Sequence, residues 1–266
     1  MMFNPDTRDL SKCWGDLSKF LFDKVRESDV DFSKSINISQ ILRYTTVANK
    51  ISELSAESNE PIKVLDVGCS SGTFYGFLSN NFDRNGKKNF TYKGIEVYKK
   101  MIQRAEKEYG AKDNFSIDYF DGNLTPISTF GEFDVVIMQQ FIEHISYTCA
   151  LQQLDEAYKV LPPGGLLVLS SPNPDKANGK DFVYPDHHEY EFTLDEISNL
   201  LKERGFVVSD TFGWIGMGDL HHSKLTQDQA QVFDSLSKIS QSFAEAITAH
   251  LNPNFSSYYL LFAVKQ

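Results

Sequence analysis

Val64-Leu65-Asp66-Val67-Gly68-Cys69-Ser70-Ser71-Gly72-Thr73 decides how the chain is read. An apolar run with an acid near its end enters a turn of glycines and small residues, and a helical pattern follows. Short, nearly all-apolar strands belong to parallel sheets covered on both faces. Glycine lets a backbone turn sharply and lets a ligand come close. The next helix start adds N–H groups without helical partners. The spacing Gly68-x-x-x-Gly72 is not the G-x-G-x-x-G of dinucleotide folds, whose second and third glycines would fall on Ser70 and Thr73. A P-loop fails because no Gly-Lys-Ser/Thr follows. Asp66 beside the turn would repel a pyrophosphate but can hold an ammonium group or a water network, so the ligand is expected to be cationic there.

Outward from this turn the chain alternates strand and helix. Strands are expected at Lys63–Val67, Tyr92–Glu96, Phe115–Asp118, Asp134–Met138, Gly165–Ser170 and Phe206–Thr211, with a last one at Tyr258–Val264. Helical periodicity separates several of them, and Thr193-Leu194-Asp195-Glu196 has capping-box spacing. Upstream, residues 8–27 and 38–54 carry apolar residues at three- and four-residue spacing. Residues 225–251 show the same pattern as one long helix. The order predicts a doubly wound α/β fold with ligands at the carboxyl ends of the strands. Residues 1–60 would form an N-terminal helical lid. Residues 61–266 would form the main domain, with a helical insertion at 218–252.

Composition narrows the partners. A formal net charge of −10 argues against tight nonspecific nucleic-acid binding. The one basic cluster, Arg84-Asn85-Gly86-Lys87-Lys88, reads as a solvated loop. Three scattered cysteines form no CxxC pair or zinc spacing. No apolar run is long enough for a bilayer, and no signal peptide opens the chain, so a cytoplasmic protein is expected.

Two more turns carry ligand chemistry. Glu96, ending the second strand before Val97, can accept from both hydroxyls of a ribose. Asp121, with Gly122 and Asn123, can meet an adenine amino group and a ring nitrogen. The ordered set VLDVGCSSG, GIEV, the Asp121 turn, FDVVIMQQFIEHI, LPPGGLLVLSSPNP and HHEYEFTLDEI resembles the class I, Rossmann-like S-adenosylmethionine (SAM)-dependent methyltransferases over residues 62–212. The resemblance implies SAM as cofactor and a seven-stranded, mostly parallel sheet of order 3-2-1-4-5-7-6. It places Asp66, Gly68, Cys69, Ser70, Gly72, Glu96, Val97, Asp121, Gly122, Asn123 and Gln139 against SAM. Ser70 departs from the family, which more often has glycine there.

At the acceptor end the resemblance puts Gln139 and Gln140 along the methionine moiety. His144 and His188 are the candidate catalytic bases, since histidine titrates near neutrality. Arg43 and Tyr44 read as a surface arginine and a core tyrosine, with reach to the ligands as the alternative. Small-RNA 2′-O-methyltransferases bind a divalent metal through a set matching Gln140, Glu143, His144 and His188. Gln140 is a poor ligand for a hard cation, so no metal is expected. The function expected is O- or N-methylation of a small molecule. A metal-assisted RNA 2′-O-methyltransferase or other nucleic-acid methyltransferase is one alternative, and a SAM-binding protein without catalysis is the other. No membrane contact is expected, and the 225–251 segment offers a surface for substrate or a homodimer.

Overall fold

Leu65 and Val67 face one side of their strand and Val64 the other, and all three are fully buried. Such burial on both faces marks the interior of a helix-covered parallel sheet. The computed structural model describes residues 38–84, 90–122, 125–174, 188–216, 225–238 and 240–266. The expected helix at 8–27, the basic cluster from residue 85 onward, Asn123, and positions 184–187 of the second histidine segment lie outside these residues.

The elements run α1 (Ile38–Glu57), β1 (Ile62–Val67), α2 (Thr73–Arg84), β2 (Phe90–Glu96), α3 (Lys99–Tyr109) and β3 (Phe115–Tyr119). They continue with β4 (Val135–Gln139), α4 (Tyr147–Val160), β5 (Leu166–Pro172), α5 (Leu194–Glu203) and β6 (Phe206–Gly216). Helices α6 (Gln227–Ser237) and α7 (Gln241–His250) precede β7 (Ser256–Lys265). The sheet order is β3-β2-β1-β4-β5-β7-β6. Strands β1 to β5 pair in parallel, and β7 is antiparallel to both neighbours. This is the order and strand sense that the family resemblance implies. It reverses between β1 and β4, and there the carboxyl ends open a crevice.

Two cores sandwich the sheet. On one face Ala150, Leu154 and Ala157 of α4 and Ile197 and Leu201 of α5 meet Leu65, Val136 and Leu167. On the other, Val47 and Ile51 of α1 and Phe74, Tyr75 and Leu78 of α2 meet Val64, Ile137 and Val168. Each fully buried side chain of this size contributes about 1.5–3 kcal/mol. Thr193 caps α5 with the expected box: its hydroxyl accepts from Glu196 N–H at 3.1 Å, and Glu196 accepts from Thr193 N–H at 2.8 Å.

Two expectations are corrected. Strand β6 continues to Gly216, past the expected end at Thr211, because β7 is long enough to pair with it as far as Ser256. The 225–251 segment is two helices rather than one. Ser240 restarts the second by accepting from the N–H of Phe243 at 3.4 Å. Helix α7 lies against β6 and α1. At Gly213 a Cβ would press on the Ala249 carbonyl and stand 2.5 Å from Ser256 Cβ. Gly213→Ala should therefore cost about 1–3 kcal/mol of stability through overpacking. A lowered denaturant midpoint checks this, and an unchanged midpoint would show that α7 is not seated on β6.

Candidate active site

The glycine loop closes the carboxyl end of β1 through its backbone. Gly68 and Cys69 N–H groups both donate to the Ile95 carbonyl, at 2.9 and 3.2 Å. Gly68 and Gly72 have φ of +73° and +75°, the left-handed region that glycine enters without cost. A side chain at Gly68 would meet the Phe141 ring at 3.1 Å, and one at Gly72 the Tyr109 ring at 3.1 Å. Ser70 also has positive φ, +52°. This gives the family's preference for glycine there a physical reason, since a Cβ in that conformation costs about 1–2 kcal/mol. Cys69 is buried, and its sulfur fills the space over Gly94, where a Cβ would come within 2.5 Å. Burial pushes its thiol pKa far up, so it acts as a small apolar filler rather than a nucleophile.

Two acids stand at neighbouring strand tips. Glu96 is buried, and its carboxylate accepts from Ser70 N–H at 2.8 Å and from Val97 and Tyr98 N–H at 2.9 Å each. A carboxylate offers roughly four acceptor positions, so at least one remains for a ribose hydroxyl. Asp66 is buried and accepts a hydrogen bond from the Tyr92 hydroxyl. Burial raises its pKa to about 7, against the pull of that bond and of the Arg43 charge. Asp121 turns back on its own loop, accepting from Thr125 N–H at 2.9 Å and Oγ1 at 3.0 Å. Gly122 is left-handed at φ +81° with open space around it.

Polar groups gather over β4 and β5. Gln140 takes φ +54°, and its N–H donates to the Ser170 carbonyl at 2.8 Å. Among the described residues Gln139 Oε1, Gln140 Nε2, Glu143 Oε1 and Arg43 Nε are buried without a hydrogen-bond partner. Glu143 lies in the short turn Ile142–His144, where its other oxygen accepts from Ser171 Oγ at 3.3 Å. Burial raises its pKa to about 8. The Glu189 N–H donates to the Glu143 carbonyl at 2.8 Å, which brings the 188–191 segment alongside. His188 Nδ1 then bonds Glu191 Oε1 at 2.5 Å, and the His144 and His188 rings meet edge to face at 4.9 Å. Tyr147, Tyr190 and Phe192 form an aromatic wall, with centroids 4.7–5.5 Å apart. Glu143, His144 and His188 each offer a ligand atom, all within 4.8 Å of one another.

Sequence reasoning thus found the two histidines and, as part of the metal set, Glu143, but not Glu191 behind His188. Glu191 stands three residues after His188, and Glu143 is the lone acid in Phe141-Ile142-Glu143-His144-Ile145; those are the signals that were there. Arg43 corrects the surface reading: it is 6% exposed, its guanidinium 4.3 Å from the Trp214 ring centroid and 5.1 Å from that of Tyr44.

Comparison with known proteins agrees with the fold. The methyltransferase-domain family matches residues 40–211. The ubiquinone biosynthesis O-methyltransferase of Psychrobacter arcticus is 27% identical over 183 residues, 62% of this chain and 64% of that protein. The match therefore spans less than two thirds of that curated relative. In fold, the chain is similar to the N-methyltransferase NodS of Bradyrhizobium japonicum bound to S-adenosylhomocysteine. That likeness has a TM-score of 0.55 and 17% identity, over 90% of this chain and 93% of that one. The magnesium protoporphyrin IX methyltransferase of Synechocystis gives a TM-score of 0.53 and 18% identity, over 92% and 94%.

The crevice fits SAM: an acid for ribose, another acid for a cationic group, and orphaned polar atoms where the amino-acid end and the acceptor would lie. An ammonium placed at Asp66 would be held by its charged form. Affinity for S-adenosylhomocysteine should therefore rise from pH about 6 to about 7.5, a window in which the ligand's amine stays protonated. Below pH 7 binding should release a proton. Asp66→Asn should flatten that dependence, and Asp66→Asn or Glu96→Gln should weaken binding at least tenfold, about 1.4 kcal/mol. Calorimetry in buffers of different ionisation enthalpy checks both; a pH-independent affinity in the unmodified protein would contradict the Asp66 assignment.

Proposed function

The chain belongs to the class I, Rossmann-like SAM-dependent methyltransferases, and from that premise we propose that its acceptor is an oxygen or nitrogen of a small polar molecule. The observation that carries this is a set of buried polar atoms past the ends of β4 and β5 that have no partner among the described residues: Gln139 Oε1, Gln140 Nε2 and Glu143 Oε1. Buried polar atoms without partners are costly and call for a ligand that satisfies them. The net charge of −10 opposes a polyphosphate acceptor. The name of the Psychrobacter relative, an O-methyltransferase of ubiquinone biosynthesis, points to small-molecule chemistry of the same kind.

SAM supplies the electrophilic methyl. The protein's part is to hold the acceptor lone pair in line with that methyl and keep water out, which can be worth several orders of magnitude. A hydroxyl acceptor must also lose its proton. His188, its Nδ1 held by Glu191, and Glu143, poised near neutrality, stand together to receive it. The α1 helix, lying on α2, β6 and α7, would act as a lid over the crevice.

The test is a methyl-transfer screen with labelled SAM against phenolic, hydroxylated and amine metabolites, with RNA and DNA as parallel arms. Label should appear in a small molecule, and His188→Ala should lower kcat by about 10²–10⁴-fold if His188 is the base. Label in nucleic acid alone overturns the proposal, as does SAM binding without turnover on any acceptor.

A second, metal-assisted reading has one observation in its favour, the Glu143, His144 and His188 trio. The Glu191 carboxylate behind His188 is the usual orienting partner of a ligating histidine. Its spread of up to 4.8 Å is wider than the ~3–3.5 Å between ligands that bonds of about 2.1 Å would produce. Closing it would need side-chain rotation. Activity that survives dialysis against EDTA would discard this reading; loss with EDTA and recovery with a divalent cation would establish it.

A further inference from the structure

Asp66 and Glu96 are buried alike but are answered in different ways. The Glu96 carboxylate takes three backbone N–H groups, while among the described residues the Asp66 carboxylate takes one hydrogen bond, from the Tyr92 hydroxyl. Backbone donors come with the turn, but a phenol has to be built into place. Tyr92 is buried on β2, and its own N–H donates to the Asn114 carbonyl at 2.8 Å. Its ring stacks on Phe115, with centroids 5.7 Å apart and planes 13° from parallel, and tilts against Tyr75 at 5.2 Å. The Tyr75 hydroxyl donates to Asn114 Oδ1 at 2.8 Å, which ties the stack to the same loop. Tyr92 pairs in register with Val64, and Asp66 with Gly94, so the ring runs along β2 to reach the acid. Gly94 leaves that path open: a Cβ there would touch Tyr92 Cε1 at 3.4 Å.

The surroundings make this bond matter. Burial pushes Asp66 toward its neutral form, and Glu96 on β2 pushes the same way. Against them stand the Tyr92 hydroxyl and, through space, Arg43 of α1. Cys69 of the glycine loop and Tyr44 of α1 are the other titratable groups that face the pair, and β4 brings up the apolar Ile137. Burial and the Asp66 charge push the Tyr92 phenol well above its ordinary value, so it remains the donor while Asp66 titrates. We infer that Tyr92 is a positioning residue for the cofactor: its hydroxyl, locked by the aromatic stack, holds the Asp66 carboxylate charged and in place for the ligand's ammonium. The inference rests on the SAM-binding reading of the crevice, with Asp66 as its ammonium site, and adds a residue that acts through Asp66 rather than on the ligand.

The test is calorimetry of S-adenosylhomocysteine binding to the full chain, unmodified and Tyr92→Phe, across the pH range in which Asp66 titrates. The deciding quantity is the ratio of the two affinities, in which the ligand's own ionisation cancels. Tyr92→Phe removes the donor, so Asp66 should need a higher pH to become charged. The unmodified protein should bind about tenfold tighter at pH about 6, the scale of a hydrogen bond to a charged group, and the advantage should shrink below about twofold by pH about 8.5. With Asp66→Asn already in place, adding Tyr92→Phe should change affinity by less than about twofold. A ratio that is the same at every pH, or a Tyr92→Phe loss undiminished in the Asp66→Asn background, overturns the inference, because packing alone would give either. Should Tyr92→Phe fail to fold, 3-fluorotyrosine in place of Tyr92 decides. It keeps the ring and is the stronger donor, so the pH window for binding should move down; no movement overturns the inference. A pH-independent affinity in the unmodified protein removes the Asp66 assignment and this role with it. A chain that binds no S-adenosylhomocysteine overturns the cofactor reading beneath both.

Discussion

Two buried carboxylates at the tips of adjacent parallel strands govern everything else in this structure. Asp66 and Glu96 sit where β1 and β2 end, 4% and 5% exposed. Burying an acid is expensive unless its lone pairs are answered, and the loop between β1 and α2 helps answer those of Glu96. Ser70 accepts a left-handed conformation so that its N–H reaches Glu96. Gly68 and Gly72 have no room for a side chain beneath Phe141 and Tyr109. Tyr92, deep in β2, spends its hydroxyl on Asp66. Remove the acids and the strained loop, the buried tyrosine and the close aromatic packing lose their common purpose.

A second, less settled collection of polar groups lies past the ends of β4 and β5. Here, among the described residues, Glu143, Gln139, Gln140 and Arg43 leave polar atoms unanswered. The contrast is informative. At the tips of β1 and β2 the protein gives its own acids partners: three N–H groups for Glu96 and the Tyr92 hydroxyl for Asp66. Past β4 and β5, among the described residues, buried groups are left unpaired. A polar ligand that paired such groups would relieve the cost of leaving them bare, which is one way to gain specificity for a polar ligand over an apolar one.

The fold was legible because its strands are buried on both faces and the resulting apolar runs stand out between helical patterns. The loop and its two acids were legible because their types and spacing are set by backbone geometry and ligand charge. Other features were hidden for identifiable reasons. Phe212-Gly213-Trp214-Ile215-Gly216 carries two glycines and reads as a loop, but it is a strand because β7 is long enough to pair with it. The apolar period through Leu236, Ile239 and Phe243 runs across a break, so one helix was expected where Ser240 starts a second. Arg43 looked like a surface residue on an amphipathic helix. Its burial depends on Trp214, some 170 residues away in sequence, and no local pattern encodes that contact.

The most direct measurement of the central claim is a crystal structure of the full chain with S-adenosylhomocysteine. The account predicts the ribose hydroxyls on Glu96, the amino group beside Asp66, and the sulfur facing the space bordered by Glu143 and His188. A ligand in that crevice with its ribose away from Glu96, or a crevice that takes up a dinucleotide in preference, would contradict it.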